Sequence, residues 1–218
     1  MKDQQIHEAM ALLRQECRQW PTPSVTVVAQ RHRSPFTVLI SCIISLRTRD
    51  AVTAAASERL FSRAVSPDAL VRLTVDEIAD LIYPAGFFRV KAGQIRDICC
   101  RLLEEYGGTV PDTVEELVRF KGVGRKTANL VVTLGYGKPG ICVDIHVHRI
   151  TNRWGYVATA TPDETEMALR RTLPPEYWIE INDLLVSYGQ HRCFPTVPAC
   201  SGCPLALLCS RIGVTRSK

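Results

Sequence analysis

The sequence has no hydrophobic run long enough to cross a membrane. Its longest apolar stretch, residues 38–46, is nine residues long and contains two serines, whereas a membrane-spanning helix needs about 20 apolar residues. The first 20 residues mix charged and apolar side chains without a continuous apolar segment. We therefore predict no signal peptide and no membrane partner, and we expect the protein in the cytoplasm.

Signals for β-strands are also scarce. Two short apolar runs, residues 25–29 and 140–143, have no partner run at hairpin spacing. Hydrophobic residues make up 46% and charged residues 22% of the 218 positions, a balance that supplies a core and excludes an intrinsically disordered chain. The 27 Lys and Arg against 22 Asp and Glu give a net charge of +5, which permits a polyanionic partner without requiring one.

Helix signals, in contrast, are frequent. Capping-box sequences of the form S/T-x-x-E start at Thr74, Thr113 and Thr161, and each can satisfy free N–H groups at the start of a helix. The longest predicted helix begins near Phe87 and ends at the glycine pair 107–108, which suits a helix C-terminus. We predict an all-α protein of roughly ten short helices.

The cysteines do not form the pattern of a disulfide framework, because there are nine of them and no export signal. Four lie within the last 26 residues, spaced Cys193-x6-Cys200-x2-Cys203-x5-Cys209. Thiolates this close in sequence can converge on zinc or on an iron–sulfur cluster. The long outer spacings are unlike the short knuckles of a zinc ribbon, which favours the larger cluster; zinc and two disulfides remain the alternatives.

A glycine-rich turn joins two predicted helices. Gly122 and Gly124 flank Val123, so the turn can expose backbone N–H groups at the start of the next helix and bind a phosphate there. Arg125 separates the second glycine from Lys126, which excludes a nucleotide-binding P-loop. A plain connection between helices is the alternative interpretation.

Two residues near this turn can carry chemistry. Lys126 falls in the first turn of the new helix, where the helix dipole disfavours a protonated amine and so suits a nucleophile; its alternative role is a solvated surface lysine. Asp144 follows eighteen residues later and is either a catalytic carboxylate or only the N-cap of a helix. His146 and His148 are two residues apart, so a helix places them on different faces.

The segments Gly122–Asn129 and Val143–His146, together with the four-cysteine spacing, resemble endonuclease III, a helix-hairpin-helix DNA glycosylase family of base excision repair. The resemblance extends from about Val28 to Cys209. It implies two helical domains with a DNA cleft between them. The first, residues 28–138, is a six-helix barrel bearing the hairpin, and the second combines residues 1–27 and 139–218. The ligands of a 4Fe–4S cluster would be Cys193, Cys200, Cys203 and Cys209.

The same resemblance implies a bifunctional enzyme. Lys126 would attack the sugar of a flipped-out damaged base, with an oxidised pyrimidine as the expected lesion, and Asp144 would assist. β-Elimination through the lysine Schiff base would then cut the strand 3′ to the abasic site. The implied partner is double-stranded DNA with a damaged base or an abasic site, bound by a monomer that in a prokaryote associates with the nucleoid.

The resemblance also implies DNA contacts and reveals three departures from the family pattern. The implied contacts come from the hairpin, the last residue of the segment Val143–His146, and two further loops; they are Lys121, Gly122, Val123, Gly124, Arg125, His146, Arg47 and Phe87. Arg47 stands where glutamine is common, and Lys121 where proline is common. The cluster segment 194–199 has no Lys or Arg, which leaves His191 and Arg192 as the nearest basic candidates. Phe87 is the candidate wedge, or else a core aromatic.

Two other functions remain as alternatives. Arg47 allows a glycosylase for uracil or thymine mismatched with guanine. The cysteine motif alone allows a non-catalytic iron–sulfur module that binds DNA or carries electrons. Lys126 together with Asp144 favours the enzyme, because a binding module needs neither.

Overall fold

The computed structural model describes residue 1 and residues 3–218, and within them the chain is helical with no strand. This confirms the predicted all-α class. The described residues form twelve α-helices: α1 (Ile6–Cys17), α2 (Ser24–His32), α3 (Pro35–Ser45), α4 (Asp50–Arg63), α5 (Pro67–Val71), α6 (Val75–Ile82), α7 (Phe88–Tyr106), α8 (Val114–Leu117), α9 (Arg125–Leu130), α10 (Ile145–Trp154), α11 (Pro162–Thr172) and α12 (Ile181–His191). No helix in the described part of the chain is long and apolar enough to span a membrane.

The chain divides into two compact units. One comprises residues 23–138, and the other combines residues 1–22 with 139–218. The first boundary lies five residues before the predicted one at 27/28, because α2 already begins at Ser24 and packs against α3 and α4. Within residues 23–138, all of which are described, six helices have six residues or more, and α5 and α8 are short.

Helix α3 is the core of the 23–138 unit. Its nine residues from Phe36 to Ile44 are all buried, as expected for a helix that is apolar on every side. Pro35 occupies the first position of the helix. Proline suits this position because an N–H there would have no hydrogen-bond partner within the helix. α2, α4, α7 and α9 pack around it, so the apolar run of the sequence is a central core helix.

The predicted helix ends are present, with one difference. Thr74 forms a complete capping box with Glu77: its hydroxyl accepts from Glu77 N at 3.2 Å, and the Glu77 carboxylate accepts from Thr74 N at 2.7 Å. Thr113 and Thr161 also cap their helices, but the backbone N–H of each cap residue does not donate to the glutamate three residues later. The longest helix, α7, ends at Gly107 with φ of 58°, as its glycine pair predicts.

The second unit has its own core, built from α1, α10, α11 and α12. Trp154 of α10 and Tyr188 of α12 are its largest fully buried side chains. The two helices approach closely at Gly189, where an added Cβ would lie 2.2 Å from His146 Nδ1. This packing positions the start of α10 and the cysteine segment that follows α12.

Candidate active site

The hairpin between α8 and α9 is fixed from outside by α7. Gln94 of α7 donates from Nε2 to Lys121 O at 2.9 Å, and a Cβ on Gly122 would lie 2.2 Å from that nitrogen. Gly122 also has φ of 79°, so only glycine suits the position. Val123 is buried, and its N–H donates to Phe120 O at 3.0 Å. These contacts hold the turn against α7 and leave Lys121, Gly122 and Gly124 exposed.

Lys126 lies at the second position of α9, in the first helical turn as predicted, and its side chain is exposed. Asn129, fully buried one turn later, donates to Arg125 O at 3.1 Å and ties down the start of the helix. α9 packs on α3. Burial raises the pKa of the Cys42 thiol of α3 to about 12, and the positive charge of Lys126 opposes that rise. The amine thus lies near the core helix of the 23–138 unit.

Asp144 belongs to the other unit and is the N-cap of α10, as predicted. Its Oδ1 accepts from His146 N at 2.8 Å and from Val147 N at 2.9 Å, and the residue is 7% exposed. Asn182 of α12 donates to Cys142 O at 3.3 Å and anchors the segment that leads to the cap. Because both capping bonds go to one oxygen, capping does not require the negative charge, and Oδ2 can serve another purpose.

Arg149 is a site residue that the sequence did not indicate. From the next turn of α10 its Nη2 lies 3.1 Å from His146 Nδ1 and donates to Cys193 O at 2.8 Å. It therefore connects His146, two residues after the Asp144 cap, to the first cysteine of the C-terminal segment. His148 points elsewhere, to Thr165 Oγ1 at 2.7 Å, so the two histidines occupy different faces as expected. The i, i+3 spacing of His146 and Arg149 is the only sequence signal for this contact.

The four C-terminal cysteines line one pocket, together with Trp154 and Tyr188. All four are free thiols, as is every described cysteine. Donors point at three of the sulfurs: Tyr188 Oη lies 2.9 Å from Cys203 Sγ, Arg153 Nη1 lies 3.4 Å from Cys193 Sγ, and Arg211 N lies 3.4 Å from Cys209 Sγ. Burial is the main cause that raises the pKa of Tyr188, and the hydrogen bond with Cys203 raises it further. The hydroxyl therefore keeps its proton and can donate it. Among the described residues, no three His, Cys, Asp or Glu side chains are arranged to hold a single metal ion.

Backbone contacts shape the cysteine segment. Gly202, between the two closest cysteines, has φ of 69°, which fits the predicted tight turn. Arg153 is buried and donates to Phe194 O at 2.6 Å and to Pro195 O. This second arginine of α10 was also not predicted, because its partners lie about 40 residues away in the chain. It holds the segment that contains no Lys or Arg of its own.

The two basic candidates beside that segment are engaged within their own unit. Arg192 donates to Glu16 Oε1 of α1 at 2.7 Å. His191 stacks on Trp20, with 4.9 Å between the ring centroids. Both side chains thus support the packing of the N-terminal segment against α12.

Arg47 and Phe87, predicted as separate DNA contacts, form a pair. The Arg47 guanidinium lies 5.6 Å from the centre of the Phe87 ring. Phe87 is 62% exposed, which excludes the core-packing alternative. Both residues have φ in the left-handed region, 52° and 58°, which is uncommon for residues other than glycine. The loops that carry them touch at Gly86, where an added Cβ would lie 2.5 Å from Arg47 O.

Comparison with known proteins identifies a family. Residues 40–175 match the model of the HhH-GPD superfamily base excision DNA repair protein. Endonuclease III of Thermotoga maritima is 46% identical over 179 residues, which is 82% of this chain and 84% of that protein. Endonuclease III of Bacillus subtilis is 35% identical, over 86% of this chain and 85% of that protein. The match to endonuclease III-like protein 1 of Bos taurus, at 42% identity, spans only 61% of that longer protein.

The fold agrees with solved structures. A non-covalent endonuclease III–DNA complex superimposes with a TM-score of 0.84 at 32% identity, covering 97% of this chain and 96% of that one. A thermostable thymine-DNA glycosylase has the same fold, with a TM-score of 0.74 at 22% identity over 93% of this chain and 97% of that one. The chain belongs to the HhH-GPD superfamily of base excision DNA repair proteins and, within it, to the endonuclease III family of DNA glycosylases and AP lyases.

Proposed function

We propose that the protein removes oxidised pyrimidines from double-stranded DNA and cuts the strand 3′ to the resulting abasic site. The observation that carries this proposal is the exposed Lys126 at the second position of α9, directly after the glycine hairpin. An amine in this position is available to a sugar whose phosphates bind the hairpin. A solved endonuclease III relative at 32% identity was trapped as a covalent intermediate with DNA, which supports a lysine adduct.

The DNA backbone would bind at the hairpin. Gly122 and Gly124 have no side chains to shield their N–H groups, and Lys121 is exposed beside them. Backbone N–H groups before a helix are phosphate ligands, and a lysine adds a salt-dependent contribution. Arg47 and Phe87 would contact the bases, Phe87 by entering the stack and Arg47 by meeting the base that loses its partner.

The reaction needs a flipped base, because its sugar is unreachable inside the duplex. Neutral Lys126 Nζ would attack C1′ as the bond to the damaged base breaks; the departing base takes up a proton, and the ammonium formed at Nζ loses one. The Asp144 carboxylate would stabilise the positive charge that develops on the sugar. Cleavage of the bond between C1′ and the ring oxygen, with a proton passing to that oxygen, then gives a Schiff base between Nζ and C1′. The Schiff base makes the 2′ proton acidic, and transfer of that proton to an acceptor expels the 3′ phosphate and cleaves the strand.

We infer that the cysteine pocket would hold a 4Fe–4S cluster. All four candidate ligands are thiols around one pocket, which is the soft donor set that such clusters use. Tyr188, Arg153 and the Arg211 N–H would donate to bound thiolates, as outer-shell groups do. When bound, the cluster would cross-link the C-terminal segment. Cys193, Cys200, Cys203 and Cys209 would hold it, and Arg149 would connect the segment to α10.

The test of the proposal is borohydride trapping on a duplex with one abasic site. Reduction of the Schiff base should give a stable protein–DNA adduct, and a thymine glycol duplex should be incised without added enzymes. Binding without an adduct and without excision of any base would establish the non-catalytic alternative. Excision of uracil or thymine opposite guanine, with no activity on thymine glycol, would establish the mismatch alternative.

Cys200→Ser should remove the cluster. The purified wild-type protein should be yellow-brown with about four irons per chain, and the variant should lose the colour and much of its soluble yield. Cys100→Ser, a half-buried cysteine of α7, is the control and should keep both. Iron analysis and visible absorbance of the three purified proteins measure the presence of the cluster. A colourless wild-type protein with one tightly bound zinc would contradict the proposed iron–sulfur cluster.

Arg47→Gln should change the preference for the opposite base. Arg offers only donors, and guanine offers the acceptors O6 and N7, so the wild type should favour lesions opposite guanine over adenine by about 1–3 kcal/mol. Single-turnover excision opposite each of the four bases measures this, with Arg49→Gln as a control in the same loop. Equal wild-type rates opposite guanine and adenine would remove the base-reading role. A uniform loss in the variant with a shallower salt dependence would indicate a phosphate contact instead.

A further inference from the structure

Lys91 is a buried lysine in the first turn of α7 that the proposed chemistry does not use. It is 4% exposed, and lysine is rarely buried unless its charge is paired. Its Nζ donates to Ile44 O at 2.7 Å, to Leu46 O at 2.6 Å and to Thr48 Oγ1 at 2.8 Å. An ammonium has three N–H donors, so this network uses all of them.

The Thr48 hydroxyl is saturated in the same way. It accepts from Lys91 and from Gly86 N at 3.0 Å, and it donates to Leu46 O at 3.2 Å. A hydroxyl has one donor and two acceptor sites. Every side-chain donor and acceptor of Lys91 and Thr48 is therefore used within the network. The network joins the C-terminus of α3, the loop that follows α3 and the loop that precedes α7.

The residues enclosed by this network are Arg47 and Phe87. Arg47 lies between Leu46 and Thr48, both of which bond to Lys91, and Phe87 follows Gly86, whose N–H bonds to Thr48. Both have a left-handed backbone, which costs free energy and persists only where the surroundings fix it. The positive charge also lies at the C-terminal end of α3, where the helix dipole favours a cation.

We propose that Lys91 is the positioning residue for the Arg47–Phe87 pair, holding both loops in the geometry in which the pair meets the DNA bases. This inference rests on the proposed function of those two residues. Lys91 itself does not reach the DNA, because it is buried beneath the loops. If Lys91 only stabilised the fold, replacing it would destabilise the whole 23–138 unit. If Lys91 positions the two loops, replacing it loosens these loops before the rest of the unit.

The experiment compares Lys91→Met, which keeps most of the side-chain volume and removes the three donors, with Leu102→Ala. Leu102 lies on the same helix and is fully buried, but it is outside the network, so its truncation destabilises the unit without releasing the loops. The first measurement is limited trypsin digestion without DNA. In Lys91→Met, cleavage after the exposed Arg47 or Arg49 should rise at least about tenfold relative to all other sites, and in Leu102→Ala this ratio should stay at the wild-type value.

The second measurement uses a duplex with a tetrahydrofuran abasic analogue. Lys91→Met should weaken its affinity about tenfold, while the rate of borohydride trapping at saturating abasic DNA stays within about twofold of wild type. Identical behaviour of Lys91→Met and Leu102→Ala in both measurements would overturn the proposal, as would loss of the trapping rate at saturation. Failure of the proposed function would show separately, as a wild-type protein that forms no adduct, because the digestion does not depend on DNA.

Discussion

Lys126→Gln is expected to abolish strand cleavage at abasic sites and adduct formation with borohydride, and to leave DNA affinity within a few-fold of wild type. An amide nitrogen is not nucleophilic and cannot form a Schiff base. The side chain is exposed on α9, and a neutral polar replacement of similar length should not disturb the packing of the helix. Denaturing electrophoresis of the reduced reaction mixture measures the adduct directly.

The matched control is Lys121→Gln, an exposed lysine on the same hairpin. It should keep adduct formation at saturating DNA and lose affinity in a salt-dependent way, because its expected partner is a phosphate. A trapped adduct of Lys126→Gln at wild-type yield would show that another amine is the nucleophile.

Asp144→Asn is expected to lower single-turnover base excision by about 10²–10⁴-fold, the usual contribution of a general acid or base. Stability should change little, since asparagine caps helices about as well as aspartate. The geometry makes this separation possible, because Oδ1 alone accepts both capping bonds and an amide oxygen can take its place.

The comparison is with Asp144→Ala, which removes both charge and cap and should also destabilise the protein by about 0.5–2 kcal/mol. Thermal unfolding and single-turnover kinetics on the same preparations distinguish the two effects. If Asp144→Asn turns over as fast as wild type, Asp144 is only an N-cap.

Local sequence patterns predicted the features that depend on neighbouring residues. The start of α9 at the hairpin, the Asp144 cap and the end of α7 at its glycine pair each involve groups a few positions apart. Two of the three capping boxes are incomplete, because the glutamate of each bonds elsewhere. The domain boundary at 22/23 depends on how α2 packs and not on composition.

Contacts between distant segments were not predictable from these patterns. Lys91 reaches oxygens more than 40 positions away, and Arg149 and Arg153 of α10 reach the cysteine segment across a similar distance. Gln94 fixes the hairpin from another helix. The hydrophobic periodicity of α7 and α10 does not identify these side chains as structurally important. The role of a buried polar side chain depends on its hydrogen-bond partner, which only the fold brings into contact with it.

The discontinuous unit has a consequence for biosynthesis. The apolar face of α1, formed by Ile6, Ala9, Met10 and Leu13, packs in a core completed by α10 and α12. These helices leave the ribosome after all of residues 23–138. The 23–138 unit can therefore fold while the apolar face of α1 is still uncovered, so α1 is buried after helices that follow it in the chain. During translation, protection of this nascent helix depends on how quickly the C-terminal third follows.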